Sequence, residues 1–218
     1  MLNYTQSKNF AVTINPKNAL WIDHHYDDFV RMGVRLPYLG KLGDYTQVQI
    51  PKRNSEGSLQ LRTAAIRNSD IHLGYLAYTP RTIITQAFKF LNAPYGWGGM
   101  FGEQDCSKFL QEIYDTVGLK LPRNSGEQEK TGKALMAFEG SRQKRINALI
   151  AKGTPASTLL YLPGHIMLYL GSYEGVPYMI HTLWGAIQGQ NPIAKTAVTS
   201  VDFKAYIEKM DRASSLTP

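Results

Sequence analysis

Hydrophobic spacing changes character once along the chain. Up to about residue 78, apolar and polar residues alternate in short runs, "VRLPYLG", "YTQVQIP" and "SLQLRTAAI", separated by the turn-rich "KLGD" and "KRNSEG". Period-two alternation between turn residues predicts strands, and several short strands predict a small β-barrel or sandwich. At Thr79 and Pro80, an N-cap type followed by proline at the first helical position, the period lengthens. Ile83, Ile84, Ala87, Phe88 and Leu91 then share one helical face, so the domain boundary falls here, giving residues 1–78 and 79–218. Phe109, Leu110, Ile113, Tyr114 and Val117 form a second stripe, stopped by Gly118, and Ile146, Leu149 and Ile150 a third within "SRQKRINALIAKG" (141–153). Between them lies a polar loop, "KLPRNSGEQEKTG". Near the end, "HIMLYLG" (165–171) and "VPYMIHT" (176–182) flank "GSYEG" and predict an antiparallel hairpin centred on residues 172–174. In that register His165 directly faces His181. The fold class is α+β.

Composition narrows the reading. Hydrophobic content of 43% and charged content of 19% over 218 residues are those of a globular chain with room for two units, and no apolar run approaches the roughly 18 residues of a membrane span. The first thirty residues hold no apolar segment after a basic start, so no signal peptide is visible. The chain reads as cytoplasmic, or as periplasmic or cell-envelope if its natural beginning is missing. A net charge of +7 suits acidic partners: nucleic acid, anionic envelope polymers or carboxylate-rich peptides. The densest basic cluster, Arg142, Lys144 and Arg145, is interleaved by no aromatic residue and reads as a solvated helix face, not a nucleic-acid site.

The candidate chemistry centres on the single cysteine, Cys106, which excludes an internal disulfide framework and a multi-cysteine zinc site. Asp105 and Ser107 are both N-cap types, so Cys106 falls in the first turn of a helix, where unpaired N–H groups and the helix dipole favour a thiolate. Its other reading is a small buried hydrophobe. With His165 and His181 it supplies nucleophile, base and orienting group: Cys106 attacks, His165 holds the ion pair and protonates the leaving amine, and His181 fixes the His165 tautomer. The same three side chains could instead ligate zinc, but no acidic or fourth ligand is evident nearby. "DHH" (23–25) reads as a surface loop and not a metal patch, and His72 as surface.

"PYGWGG" (94–99), "DCS" (105–107), "LPRNS" followed by Gln128 (121–128), "GHIMLYLG" (164–171) and "HTLWG" (181–185) occur in this order. Together they resemble the NlpC-type cell-wall peptidases, a branch of the papain-like cysteine peptidases. The upstream strands resemble the bacterial SH3-like domain that precedes this catalytic domain in the γ-D-glutamyl-L-diamino acid endopeptidase subgroup. The resemblance implies Cys106 as nucleophile, His165 as base, His181 as the third polar residue, and the Tyr95 hydroxyl as an oxyanion donor beside the cysteine's own N–H. It implies that Asp105, Ser107, Trp97 and Ser125 line the pocket for a free N-terminal L-alanine and the γ-linked glutamate. The Asp105 carboxylate would pair with the alanine ammonium if capping does not consume it. Tyr75 and Tyr78 are candidates for an aromatic contribution from the SH3-like wall, and Lys108 departs from the glycine that many relatives carry after "DCS". The expected substrates are peptidoglycan-derived peptides, with no metal or other cofactor and no nucleic acid. An amidase cutting between glycan and peptide, and a non-catalytic cell-wall-binding protein, are the alternatives.

Overall fold

A computed structural model describes residues 6–185 and 193–216. The chain divides into two compact units: one runs through Ala77 and takes in Glu112–Leu119, and the other comprises Tyr78–Gln111 and the chain from Lys120 on.

The first unit holds β1 (Phe10–Thr13), β2 (Lys17–Ile22), β3 (His25–Arg31), β4 (Arg35–Leu42), β5 (Tyr45–Arg53), β6 (Leu59–Arg67) and β7 (Ile71–Leu73). They form one seven-stranded sheet ordered β3-β2-β6-β5-β4-β1-β7. The alternation read from the sequence is used as expected: Val48 and Ile50 on β5, and Ala64 and Ile66 on β6, point into a core with Ala11, Leu20, Leu36 and Ile71. Among the described residues, β3 and β7 end the ladder without pairing to each other, so no closed barrel forms. The expected closure needed a further row of backbone bonds, and β3 keeps polar residues from His25 to Asp28 exposed along its free edge.

The second unit contains α1 (Pro80–Phe88), the first part of α2 (Cys106–Asp115), whose residues from Glu112 on count with the first unit, the one-turn α3 (Ser125–Gln128), α4 (Arg142–Lys152) and α5 (Tyr206–Lys209). Its strands are β8 (Lys133–Ala137), β9 (Thr158–Leu162), β10 (His165–Tyr173), β11 (Val176–Gly185), β12 (Ile193–Ser200) and β13 (Arg212–Ser215). These make a six-stranded antiparallel sheet ordered β12-β11-β10-β9-β13-β8. Leu160, Met167, Tyr169 and Met179 of the sheet pack with Leu149 of α4 and Ile207 of α5. Thr79 caps α1 by accepting from the Thr82 N–H (3.1 Å). That helix stops at Phe88, earlier than its stripe suggested, so Phe90 is buried while Phe88 and Leu91 are exposed. The one-turn α3 arises within the stretch read as a polar loop, and strand β8 follows that stretch, where the sequence pattern predicted no element.

The β10–β11 hairpin forms, with a corrected register. Its turn is Glu174–Gly175, both at positive φ as in a two-residue primed turn, and Tyr173 pairs with Val176. A bulge between Tyr169 and Gly171 then shifts the ladder so that Leu168 opposes Ile180. Carried one position on, that register sets His181 opposite Met167, two residues from His165. An offset of two leaves both histidines on the same face, so their side chains still meet diagonally.

Candidate active site

The loop before α2 is shaped by glycine. Gly96 donates its N–H to the Gln104 carbonyl (2.9 Å), and a Cβ added there would lie 2.6 Å from that of Glu103. This closure bridges Tyr95 to Gln104, immediately before Asp105 and Cys106. Asp105 is the N-cap of α2: its Oδ1 accepts from the Lys108 N–H (2.8 Å), and its carbonyl accepts from the Phe109 N–H (3.0 Å). Phe109, Leu110, Ile113 and Tyr114 are buried completely and anchor the helix. Cys106 is therefore held at the first helical position.

Cys106 is 7% exposed, and its pKa is raised. Burial is the largest cause, with the nearby Asp105 charge also raising it, while the backbone N–H groups of Ile166, Ser107 and Cys106 itself pull in the opposite direction. The helix start is where the sequence placed it, but the desolvation cost of a thiolate there exceeds what the helix terminus returns. The contact with Ile166 sets the sulfur against the start of β10, beside His165.

His165 Nε2 lies 2.8 Å from His181 Nδ1, and His181 Nε2 lies 3.0 Å from Thr199 Oγ1 on β12. Burial, with a smaller contribution from Lys204, lowers the His165 pKa to about 4. Burial also holds His181 well below the ordinary value, helped by His165 and Lys204. Both rings are neutral near pH 7. Assigned from these hydrogen bonds, one tautomer set has His165 Nε2–H donating to His181 Nδ1 and His181 Nε2–H donating to Thr199 Oγ1. It leaves His165 Nδ1 as the basic nitrogen. The rings of Phe203 and Tyr206 pack on His181, with Tyr206 also 5.9 Å from the His165 ring, and shield the pair from water.

Tyr95 keeps its proton: burial, then Cys106 and Asp105, push its pKa up to about 12 against the opposing effect of Arg123. Its hydroxyl is thus a donor in the field of the thiol. The Tyr95 ring packs against Trp97 (5.1 Å) and Trp184 (5.9 Å), and the two indoles, 55% and 52% exposed, lie 5.6 Å apart.

The Asp105 carboxylate accepts hydrogen bonds on both oxygens. Besides Lys108 it accepts from Ser107 Oγ (3.1 Å), Arg123 Nη1 (3.1 Å) and Arg123 Nη2 (2.5 Å), and Arg123 Nη1 also reaches Ser107 Oγ (2.8 Å). Burial raises its pKa, but the Arg123, Lys108 and Ser107 contacts outweigh that and leave it lowered. The cap and the Ser107 and Nη1 contacts all fall on Oδ1, while Oδ2 accepts only from Arg123 Nη2. Gln128 Nε2 donates to the Ser107 and Pro122 carbonyls (2.9 and 2.8 Å), tying α3, and with it Ser125 at its first position, to the start of α2. Tyr75 packs on Phe10, and the Tyr78 hydroxyl donates to the Leu216 carbonyl. Among the described residues, no three His, Cys, Asp or Glu side chains are grouped to hold a metal ion.

Arg123, Trp184 and Thr199 were not singled out from the sequence. The first two stand inside quoted motifs, "LPRNS" and "HTLWG", and could have been noticed; Thr199 carries no local signal.

The model of the NlpC/P60 family matches residues 92–205, a span that holds Tyr95, Cys106, Arg123, His165, His181 and Thr199. The chain belongs to the NlpC/P60 family. A γ-D-glutamyl-L-lysine dipeptidyl-peptidase of Bacillus subtilis strain 168 is 38% identical over 72 residues, which cover 32% of this chain and 24% of that protein. A protein of the same name from Bacillus cereus is 41% identical over 54 residues, 24% of this chain and 16% of that one. The match thus spans a quarter or less of these curated relatives. Two solved structures share the fold. An NlpC/P60 family protein from Bacillus cereus ATCC 10987 has a TM-score of 0.71 at 21% identity, covering 100% of this chain and 67% of that one. An NlpC/P60 endopeptidase from Photobacterium damselae subsp. piscicida has a TM-score of 0.74 at 22% identity, covering 99% and 54%.

Proposed function

We propose that this chain is a cysteine endopeptidase that hydrolyses the γ-D-glutamyl to L-diamino acid bond of peptidoglycan stem peptides. The observation that carries the reading is the relay of Cys106, His165, His181 and Thr199, with the thiol set against the N–H of the residue after His165. His165 Nδ1 takes the thiol proton as Sγ attacks the γ-carbonyl carbon, so no resting thiolate is required. The oxyanion is met by the Cys106 N–H and the Tyr95 hydroxyl, a donor type worth roughly 10² to 10³ in rate. His165 then returns the proton to the leaving amine of the diamino acid. Water, deprotonated by the same nitrogen, hydrolyses the thioester.

Substrate choice is assigned to the start of α2. The Asp105–Arg123 ion pair offers both charges that an L-Ala-γ-D-Glu unit with a free amine and a free α-carboxylate would meet. Arg123 is half-exposed and suits the α-carboxylate, while Asp105 Oδ2, which accepts from Arg123, keeps lone-pair capacity for the ammonium. Ser107, Trp97 and Ser125 are the remaining candidates for this pocket. The short-stranded first unit is read as an SH3-like β domain with an open ladder.

The test is mass spectrometry of defined peptides after incubation with the purified chain. Release of L-Ala-D-Glu from L-Ala-γ-D-Glu-diamino acid peptides is expected. Cleavage confined to the bond between glycan and L-alanine would favour the amidase reading.

A further inference from the structure

The first unit contains a groove of about 570 Å³ formed entirely by its own residues. That volume is typical of a small-ligand site. Its walls are Trp21, with Asp23 and His24, on one side and Tyr45 on the other, while Gln47 and Thr63 rise from the floor. No residue of the Cys106 site takes part.

Asp23 and His24 are the two residues of the β2–β3 turn, and both are left-handed, at φ 49° and 66°. Glycine or asparagine would adopt that turn at lower cost. Aspartate and histidine accept that conformation more readily than most side chains, and here they set two hydrogen-bonding groups at the groove's rim.

The floor consists of paired strands. Gln47 opposes Ala65, and Ala65 opposes Trp21, so β5 and β6 are both flanked by neighbours. An extended peptide therefore cannot add to them as a further strand, and recognition falls to side chains. The Trp21 indole nitrogen is buried, so what the ring can show to the groove is carbon, and Tyr26 packs against it at 6.0 Å and 78°. Asp23 is already balanced by Arg62 at 2.9 Å, which disfavours a cationic ligand.

We propose that this groove binds a neutral saccharide. The apolar face of one sugar ring would lie between Trp21 and Tyr45, and its hydroxyl or amide edge would meet Asp23, His24, Gln47 and Thr63. Aromatic carbon combined with side-chain donors and acceptors is the complement of a ring that is apolar on its faces and polar at its rim. The inference is independent of the peptidase reading, since it concerns binding and can hold or fail whatever Cys106 does.

The chain has three tryptophans, so a Trp97→Phe, Trp184→Phe variant leaves Trp21 as the sole indole reporter. It is titrated with an N-acetylglucosamine tetramer, a glucose tetramer and a sugar-free stem peptide. A saturable change in Trp21 emission with either saccharide is expected, and Thr63→Arg should weaken it at least about tenfold. Thr63 is exposed, so that change leaves the core intact, and its melting curve checks the fold. Saturation-transfer NMR of the saccharides on the unaltered chain provides a readout free of substitutions. Absence of saccharide binding by both methods, binding undiminished by Thr63→Arg, or binding of the peptide alone would overturn the proposal.

Discussion

His165 Nε2 and His181 Nδ1 stand 2.8 Å apart although their residues are offset by two along the hairpin instead of opposed. The contact is made by ring reach across a diagonal, and it divides the two roles. His165→Asn should abolish turnover, because an amide cannot act as a base near neutral pH. His181→Asn should retain a measurable rate, because an amide can still accept from His165 Nε2–H. Steady-state kinetics of both variants check this, and equal losses would count against the division.

Thr199 acts one step further out, by holding the His181 tautomer. Thr199→Val leaves a buried N–H without its acceptor, at roughly 1 to 3 kcal/mol. The expected result is a fall of about 5-fold to 100-fold in kcat with KM nearly unchanged, and Thr199→Ser should restore most of the rate. A change in KM alone would point to a structural role.

The pH dependence follows from the buried histidines. The neutral His165 base persists down to about 4, so kcat/KM should hold through mildly acidic pH and fall only near that value. Stability behaves differently. Between 6.5 and about 4 the unfolded chain binds a proton at His165 that the folded chain does not, so stability rises with pH across that window and is lost as pH falls through it. His181 adds in the same direction. Thermal melts at pH 7 and pH 5 should show a lower Tm at pH 5, and an unchanged Tm would contradict the burial of neutral rings.

Because burial raises the Cys106 pKa, alkylation of the free enzyme by iodoacetamide should keep accelerating into the alkaline range. A plateau reached by pH 6 would reveal the resting thiolate that the sequence led one to expect. Inactivation should still be complete, and chelators should leave activity intact.

Arg123→Gln should lower kcat/KM about 10-fold to 100-fold for peptides with a free α-carboxylate on glutamate and abolish their advantage over the amidated form. Comparing the four enzyme and substrate combinations measures the coupling. An undiminished preference would confine Arg123 to bracing Asp105.

Much of this site was legible where chemistry and local period coincide. The α2 stripe, the N-cap position of Asp105 and the place of Cys106 all follow from residues within one or two turns of each other, and Thr79–Pro80 marks the start of α1 in the same way. What escaped depends on distant partners. Arg123 reaches Asp105 from 18 positions away, and Thr199 meets His181 only because β12 pairs with β11. The hairpin register turned on the left-handed Glu174–Gly175 turn and on the bulge near Leu170, which hydrophobic alternation does not encode. For Cys106 the helix start is visible in sequence, whereas the burial that raises its pKa is not.

The most direct measurement is to quench the reaction of L-Ala-γ-D-Glu-diamino acid peptide with acid during turnover and sequence the chain's own peptides by tandem mass spectrometry. A thioester carrying L-Ala-γ-D-Glu on Cys106, absent in Cys106→Ala, is the expected result. Continued turnover by Cys106→Ala, or loss of activity in chelator that zinc restores, would contradict a thiol nucleophile at this position.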